Sequence, residues 1–232
     1  MTSIEKEKVM GEKPSLVIAI DGPSGAGKSS TARGVACRLG MAYLDTGAMY
    51  RAISWACLAD GVDQTSHSAM FACAETADLQ MGLDPRHPTI TVDGHDVSRD
   101  IRDPRISETV SAVATTPEIR ELLTSQMRQI INRNPRIVAE GRDVTTQVWP
   151  QARVRVLLVA DAQTRIARRE AQLLGKVERG RVSASIVDRD RKDSTMSEFE
   201  KPAEGVTLID STYLDLGQVI DQVIDLVPVE LR

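Results

Sequence analysis

Leu16-Val17-Ile18-Ala19-Ile20-Asp21-Gly22-Pro23-Ser24-Gly25-Ala26-Gly27-Lys28-Ser29-Ser30 is the stretch from which the rest of the chain can be read. Its first five residues form an apolar run closed by turn residues, the pattern of a buried strand. From Gly22 the fixed positions fit G-x-x-x-x-G-K-[ST], and Lys28–Leu39 reads as a helix that begins at the lysine. The glycines let the chain fold back so that backbone N–H groups converge on one point, at which the positive end of the helix also aims. Such a nest holds the β-phosphate of a nucleoside triphosphate. Lys28 then reaches the β/γ oxygens and the Ser29 hydroxyl serves as a Mg²⁺ ligand. Gly22, Pro23, Ser24, Gly25, Ala26, Gly27, Lys28, Ser29 and Ser30 are therefore the candidate nucleotide-binding residues. A Gly-rich turn can match by chance, but the strand before it and the helix after it are the context the motif requires. ATP or GTP is the expected ligand.

With 232 residues and 41% hydrophobic content, the chain can bury a full core as one domain, expected over 15–232. Residues 1–14 are charged and without an apolar centre, and read as a disordered tail on a cytoplasmic protein rather than as a signal peptide. No apolar run is long enough to cross a membrane. Cys37, Cys57 and Cys73 lack metal or redox spacing and read as reduced thiols. A net charge of −4 argues against a broad nucleic-acid footprint, and no nucleic-acid partner is expected. Arginine is nevertheless clustered locally, which suits a small polyanion held in a cleft.

Four further apolar runs read as core strands: Ala42–Leu44, Ile137–Glu140, Val154–Ala160 and Val206–Asp210. Helical patterns separate them, at Gly47–Leu58, Ile106–Val113, Pro117–Asn132, Ala162–Leu174, Ser183–Lys192 and Asp215–Leu226. The alternation predicts an α/β fold, a parallel sheet of about five strands with helices on both faces and its ligands at the carboxyl ends of the strands. Polar residues follow three of those ends directly: Asp21-Gly22, Asp45-Thr46-Gly47 and Glu140-Gly141-Arg142-Asp143. Thr89–Val92 alternates and is followed by Asp93-Gly94, which predicts a small antiparallel β insertion, placed at about 60–103.

A phosphate nest serves GTPase switches, motor ATPases and kinases alike. No Asp has a Gly three residues later and N-K-x-D is missing, which argues against a GTPase. The remaining pieces are Leu44-Asp45-Thr46-Gly47-Ala48-Met49-Tyr50-Arg51, Asp96-Val97-Ser98 with Ile101-Arg102, Gly141-Arg142-Asp143, and Arg189-Asp190 with Asp193-Ser194. In this order, over about Ile18 to Val223, the chain resembles the nucleoside monophosphate kinases, specifically the bacterial cytidylate kinases. The resemblance implies a P-loop NTPase-type fold and the transfer of a phosphoryl group from ATP to CMP or dCMP with Mg²⁺, by a monomer. The acceptor oxygen is already ionised, so such a reaction needs positioning and charge neutralisation rather than a general base. His67, His87 and His95 lie in or near the insertion, away from every motif, which fits that requirement.

The resemblance also implies roles. Lys28, Arg51, Arg142 and Arg168 are the expected catalytic residues, with Arg51 and Arg142 as the clamp on the monophosphate, where a planar fork matches phosphate oxygens. Ser111, Arg120 and Asp143 are expected at the cytosine, whose amine suits a carboxylate and whose O2 and N3 suit Arg and Ser. Arg189 and Asp193 are expected at the ribose and phosphate, and Asp45, Thr46 and Tyr50 along the acceptor site. Arg165, Arg168 and Arg169 share one helix side. With Gly175–Arg181 they suggest a lid at about 162–192, although charge runs are commonly just solvated faces.

The chain departs from the family pattern in three places. Met196 stands where an Arg is usual, Glu140 where an Asp is usual, and Thr146-Gln147-Val148-Trp149-Pro150 where the family is more apolar. A kinase for another small acceptor (UMP, dTMP or shikimate) and a nucleotide-binding regulator without catalysis remain open readings of the sequence.

Overall fold

The computed structural model describes residues 14–173 and 201–232. β1 (Leu16–Asp21) is buried along all six residues, as a strand covered on both faces must be. It is the central strand of a parallel sheet completed by β2 (Ala42–Asp45), β6 (Arg136–Gly141), β7 (Val154–Val159) and β8 (Thr207–Asp210), in the order β2-β6-β1-β7-β8. All five strands fall within two residues of their sequence-predicted ends.

Side chains of β1 alternate between two cores, as the period of a strand dictates. Leu16, Ile18 and Ile20 face Val35 and Ala36 of α1 (Lys28–Leu39) and Val219, Ile220 and Val223 of α7 (Leu216–Asp225). Val17 and Ala19 face Met49 and Ile53 of α2 (Thr46–Ala59) and Leu123, Met127 and Ile131 of α5 (Pro117–Arg133). The opposite edge of α2 is a run of Ala48, Ala52 and Ala56. Their small side chains let a second, antiparallel sheet approach closely, made of β3 (Leu79–Gly82), β4 (Thr89–Val92) and β5 (His95–Asp96). This is the expected insertion. It also contains a helix the sequence reading missed, α3 (His67–Thr76), capped by Ser66 and buried only through Met70 and Ala74. Two further helices, α4 (Pro104–Thr115) and α6 (Ala162–Leu173), complete the described fold.

Register brings the polar strand ends together. Asp45 pairs with Glu140, and Asp21 with Gly141, so three loops open side by side at one sheet edge. The predicted helix Ser183–Lys192, the Gly175–Arg181 segment, Arg189, Asp193 and Met196 lie outside the described residues. Among the described residues no helix is long and apolar enough to cross a membrane, and the three cysteines are free thiols.

Candidate active site

The loop after β1 is built by close approach. Gly22 has φ 150°, and a Cβ there would sit 2.0 Å from the carbonyl oxygen of Leu158 in β7, so only glycine fits. Gly27 caps α1 with φ 95°. α1 has no side-chain cap and no acidic residue in its first turn, whereas α2, α3, α4 and α7 are capped by Asp45, Ser66, Asp103 and Asp215. The positive end of α1 is thus left to an anion. Lys28 Nζ donates to the Pro23 carbonyl at 3.0 Å. Ser29 Oγ donates to Glu140 Oε1 at 2.5 Å, and Tyr43 Oη donates to the same oxygen at 3.1 Å. Burial pushes the Glu140 carboxyl above its ordinary value and Asp45 adds to this, while Lys28 and the two hydroxyl donors pull it back.

Four arginines, from α2, α6 and the loop after β6, donate to backbone carbonyls. Arg142 Nη1 donates to Gly22 O, and Arg165 Nη1 to Ser24 O at 3.2 Å. Arg168 reaches Ala26 O at 3.5 Å but is held mainly by Ser211, at 2.9 Å to Oγ and 2.8 Å to the carbonyl. The base of α6 therefore lies against the phosphate loop, where Arg168 is tied to the end of β8. Arg51 is buried and donates to Ile101 O at 3.0 Å and Ser107 Oγ at 3.1 Å.

On the other side of β6, Arg120 pairs with Asp143 and donates to Ala114 O at 3.2 Å. Tyr50 lies beside this pair. Burial pushes its phenol up to about 12, with Arg120 opposing the shift and Asp143 adding to it. Asp45 accepts from Ala48 N at 2.9 Å and pairs with Arg102 at 3.0 Å, and Thr46 Oγ1 donates to Glu140 O at 2.8 Å. The structure thus brings together Lys28, Ser29, Asp45, Thr46, Glu140 and Arg142 on one side, and Tyr50, Arg120 and Asp143 on the other. Ser111 is half-buried on α4, and no hydrogen bond joins it to the Arg120–Asp143 pair in this structure.

Sequence reasoning gave Tyr43 and Arg33 no role and named Arg102 without one. A cleft between α1, β2 and the antiparallel sheet is lined by all three, with Ser29, Asp45 and Ser98. Arg33 fastens the insertion to α1, donating to Pro85 O at 2.7 Å and Arg86 O at 3.3 Å. These pairings join residues far apart in the chain, so no local pattern signals them.

Residues 18–229 match the family model for cytidylate kinase. The chain belongs to the cytidylate kinase family. A cytidylate kinase of Cutibacterium acnes is 56% identical to it, over 94% of this chain and 98% of that protein. One of Streptomyces coelicolor is 43% identical, over 92% of this chain and 93% of that protein. The GTPase and non-catalytic readings of the sequence fall away: the chain is an ATP-dependent kinase. In this kinase the phosphate loop and the Arg120–Asp143 pair lie at the ends of two hydrogen-bonded neighbours, β1 and β6.

Proposed function

We propose that this kinase binds ATP on the Gly22–Ser30 loop and CMP or dCMP between Arg51, Arg142 and the Arg120–Asp143 pair, and moves the γ-phosphoryl group between them by positioning and charge neutralisation. The observation that carries the reading is the strand register that opens Asp21, Asp45 and Glu140 onto one edge. Lys28 and Arg142, now on loop carbonyls, would exchange these for phosphate oxygens, which are stronger acceptors because they carry charge. Lys28 holds the oxygens of the transferring group, and Arg51 and Arg142 hold the acceptor phosphate. Arg168, fixed at Ser211, steadies the loop from the α6 side.

Asp143 would accept from the cytosine amine while Arg120 donates to the ring acceptors. Uracil presents the opposite polarity at the amine position and would leave buried groups unpaired. Ser111 stays in this proposal only as a side chain of the neighbouring helix. Arg189 and Asp193 are proposed for the ribose and phosphate on the resemblance alone.

A Mg²⁺ site of this kind takes most of its ligands from water and phosphate and needs only one or two protein oxygens. The Ser29 hydroxyl and the Glu140 carboxylate, 2.5 Å apart, fit that demand. Bound there, the ion would supply neutralisation of the developing phosphate charge.

ADP release measured with CMP, dCMP, UMP and AMP in parallel tests the assignment. Turnover with CMP or dCMP at least about tenfold above UMP is expected, the discrimination a site built around hydrogen-bonded groups provides. Equal use of UMP would overturn the cytosine roles of Arg120 and Asp143.

A further inference from the structure

Asp21 closes β1 and is 2% exposed, yet the chemistry above gives its carboxyl group no task. A carboxylate in the middle of a sheet is expensive unless its oxygens are fully used. Those of Asp21 accept from Val144 N at 3.0 Å, Thr145 N at 2.7 Å and Thr145 Oγ1 at 2.6 Å. The donors are the first two residues of a five-residue π turn, Val144–Val148, directly after Arg142-Asp143. π turns are rare, and single-turn ones are frequently found at functional sites. The other end of the turn closes on the Asp143 carbonyl, which accepts from Thr146 N, Gln147 N and Val148 N at 3.3, 2.7 and 3.1 Å. Asp143 therefore stands between two sets of hydrogen bonds, one centred on its own carbonyl and one on the Asp21 carboxylate.

We infer that Asp21 is a positioning residue for the acceptor: through the amides of Val144 and Thr145 it fixes the turn that aims Arg142 and Asp143. The inference rests on the proposed placement of CMP at those two residues. Its physical content is that Asp21 belongs by sequence to the ATP loop but by hydrogen bonding to the acceptor loop. Removing its charge leaves the path of β1 unchanged and disturbs the acceptor side. Within the turn, Thr146 and Gln147 face solvent while Val144, Thr145 and Val148 are buried.

The test is steady-state kinetics for both substrates on the full-length enzyme carrying Asp21→Asn, Thr145→Val, Thr145→Ser or Asp143→Ala. An amide at position 21 turns one acceptor into a donor facing N–H groups, so Asp21→Asn is expected to raise KM for CMP about tenfold or more. KM for ATP should change less than about threefold, and selectivity over UMP should fall. Thr145→Val is expected to raise KM for CMP about three- to tenfold, the worth of one hydrogen bond, and Thr145→Ser, which keeps the hydroxyl, to restore it. Equal rises in both KM values, or a lowered Tm with both KM values unchanged, would overturn the inference. So would a Thr145→Ser enzyme as impaired as Thr145→Val. If Asp143→Ala leaves KM for CMP unchanged, the acceptor placement itself fails. If it raises that KM while Asp21→Asn and Thr145→Val do not, only the role of Asp21 fails.

Discussion

Tyr43 and Tyr50 flank the two halves of the site, and both are held as neutral phenols. Burial raises Tyr43 well above its ordinary value, with Glu140 and Asp45 adding to the shift, and pushes Tyr50 up to about 12. The neutral form matters because Tyr43 must donate to the Glu140 carboxylate beside Ser29. The sign of the linkage follows: above the ordinary value of 10.0 the unfolded chain sheds protons that the folded chain keeps, so stability falls as pH rises beyond it. Phenolate absorbance followed to about pH 11, with folding checked by circular dichroism, should show Tyr43 and Tyr50 un-ionised. Ionisation of all three while the fold persists would show that this burial is absent in solution. Tyr50 was expected along the acceptor site on the resemblance, but the surroundings of Tyr43 were not legible in the sequence. Tyr43 reads there as one more strand residue, because its partner Glu140 lies 97 positions away.

At the scale of elements, what was legible was whatever a local pattern writes. The apolar run of β1, the glycine loop and the start of α1 are contiguous, and the bounds of β1 and α1 came out within one residue. α3 was missed because its residues are mostly small and only Met70 and Ala74 are buried, so no apolar stripe advertises it. Its Ser66 cap was the one available signal. The Val144–Val148 turn has no sequence signature, since its geometry is imposed by Asp21 and by Arg128, which donates to Gln147 O at 2.7 Å and Val148 O at 3.1 Å. The antiparallel sheet is joined to the core by few polar ties: Arg33 to Pro85 and Arg86, and Tyr43 N to Leu83 O at 2.9 Å. Arg33→Ala is expected to cost about 1–2 kcal/mol locally. The measurement is amide hydrogen exchange: residues 79–97 should exchange faster while β1 and β6 keep their protection. Uniform acceleration across the molecule, or none, would refute the latch.

Among the described residues the arrangement is a five-stranded parallel sheet between two cores, a small antiparallel sheet packed on α2, and one end of the parallel sheet where three loops open together. Parallel order with β1 in the centre places the phosphate loop beside Glu140-Gly141-Arg142-Asp143 on one flank and Leu158 of β7 on the other. Sequence alternation alone gives a parallel sheet but not its strand order. It is the order that makes the Gly22–Ser30 loop and the loop after β6 neighbours, tied by Arg142 to Gly22 and by Thr145 to Asp21. On the proposed placement, a protein of net charge −4 would gather two polyanions because guanidinium groups and the open helix end are concentrated where those loops meet. Charge concentrated in this way, with no proton acceptor, would itself be the catalyst. The decisive measurement is on Lys28→Ala: ADP release at saturating ATP and CMP should fall about 10²–10³-fold in an enzyme that remains folded, whereas turnover equal to that of the unaltered chain would rule out catalysis by this charge.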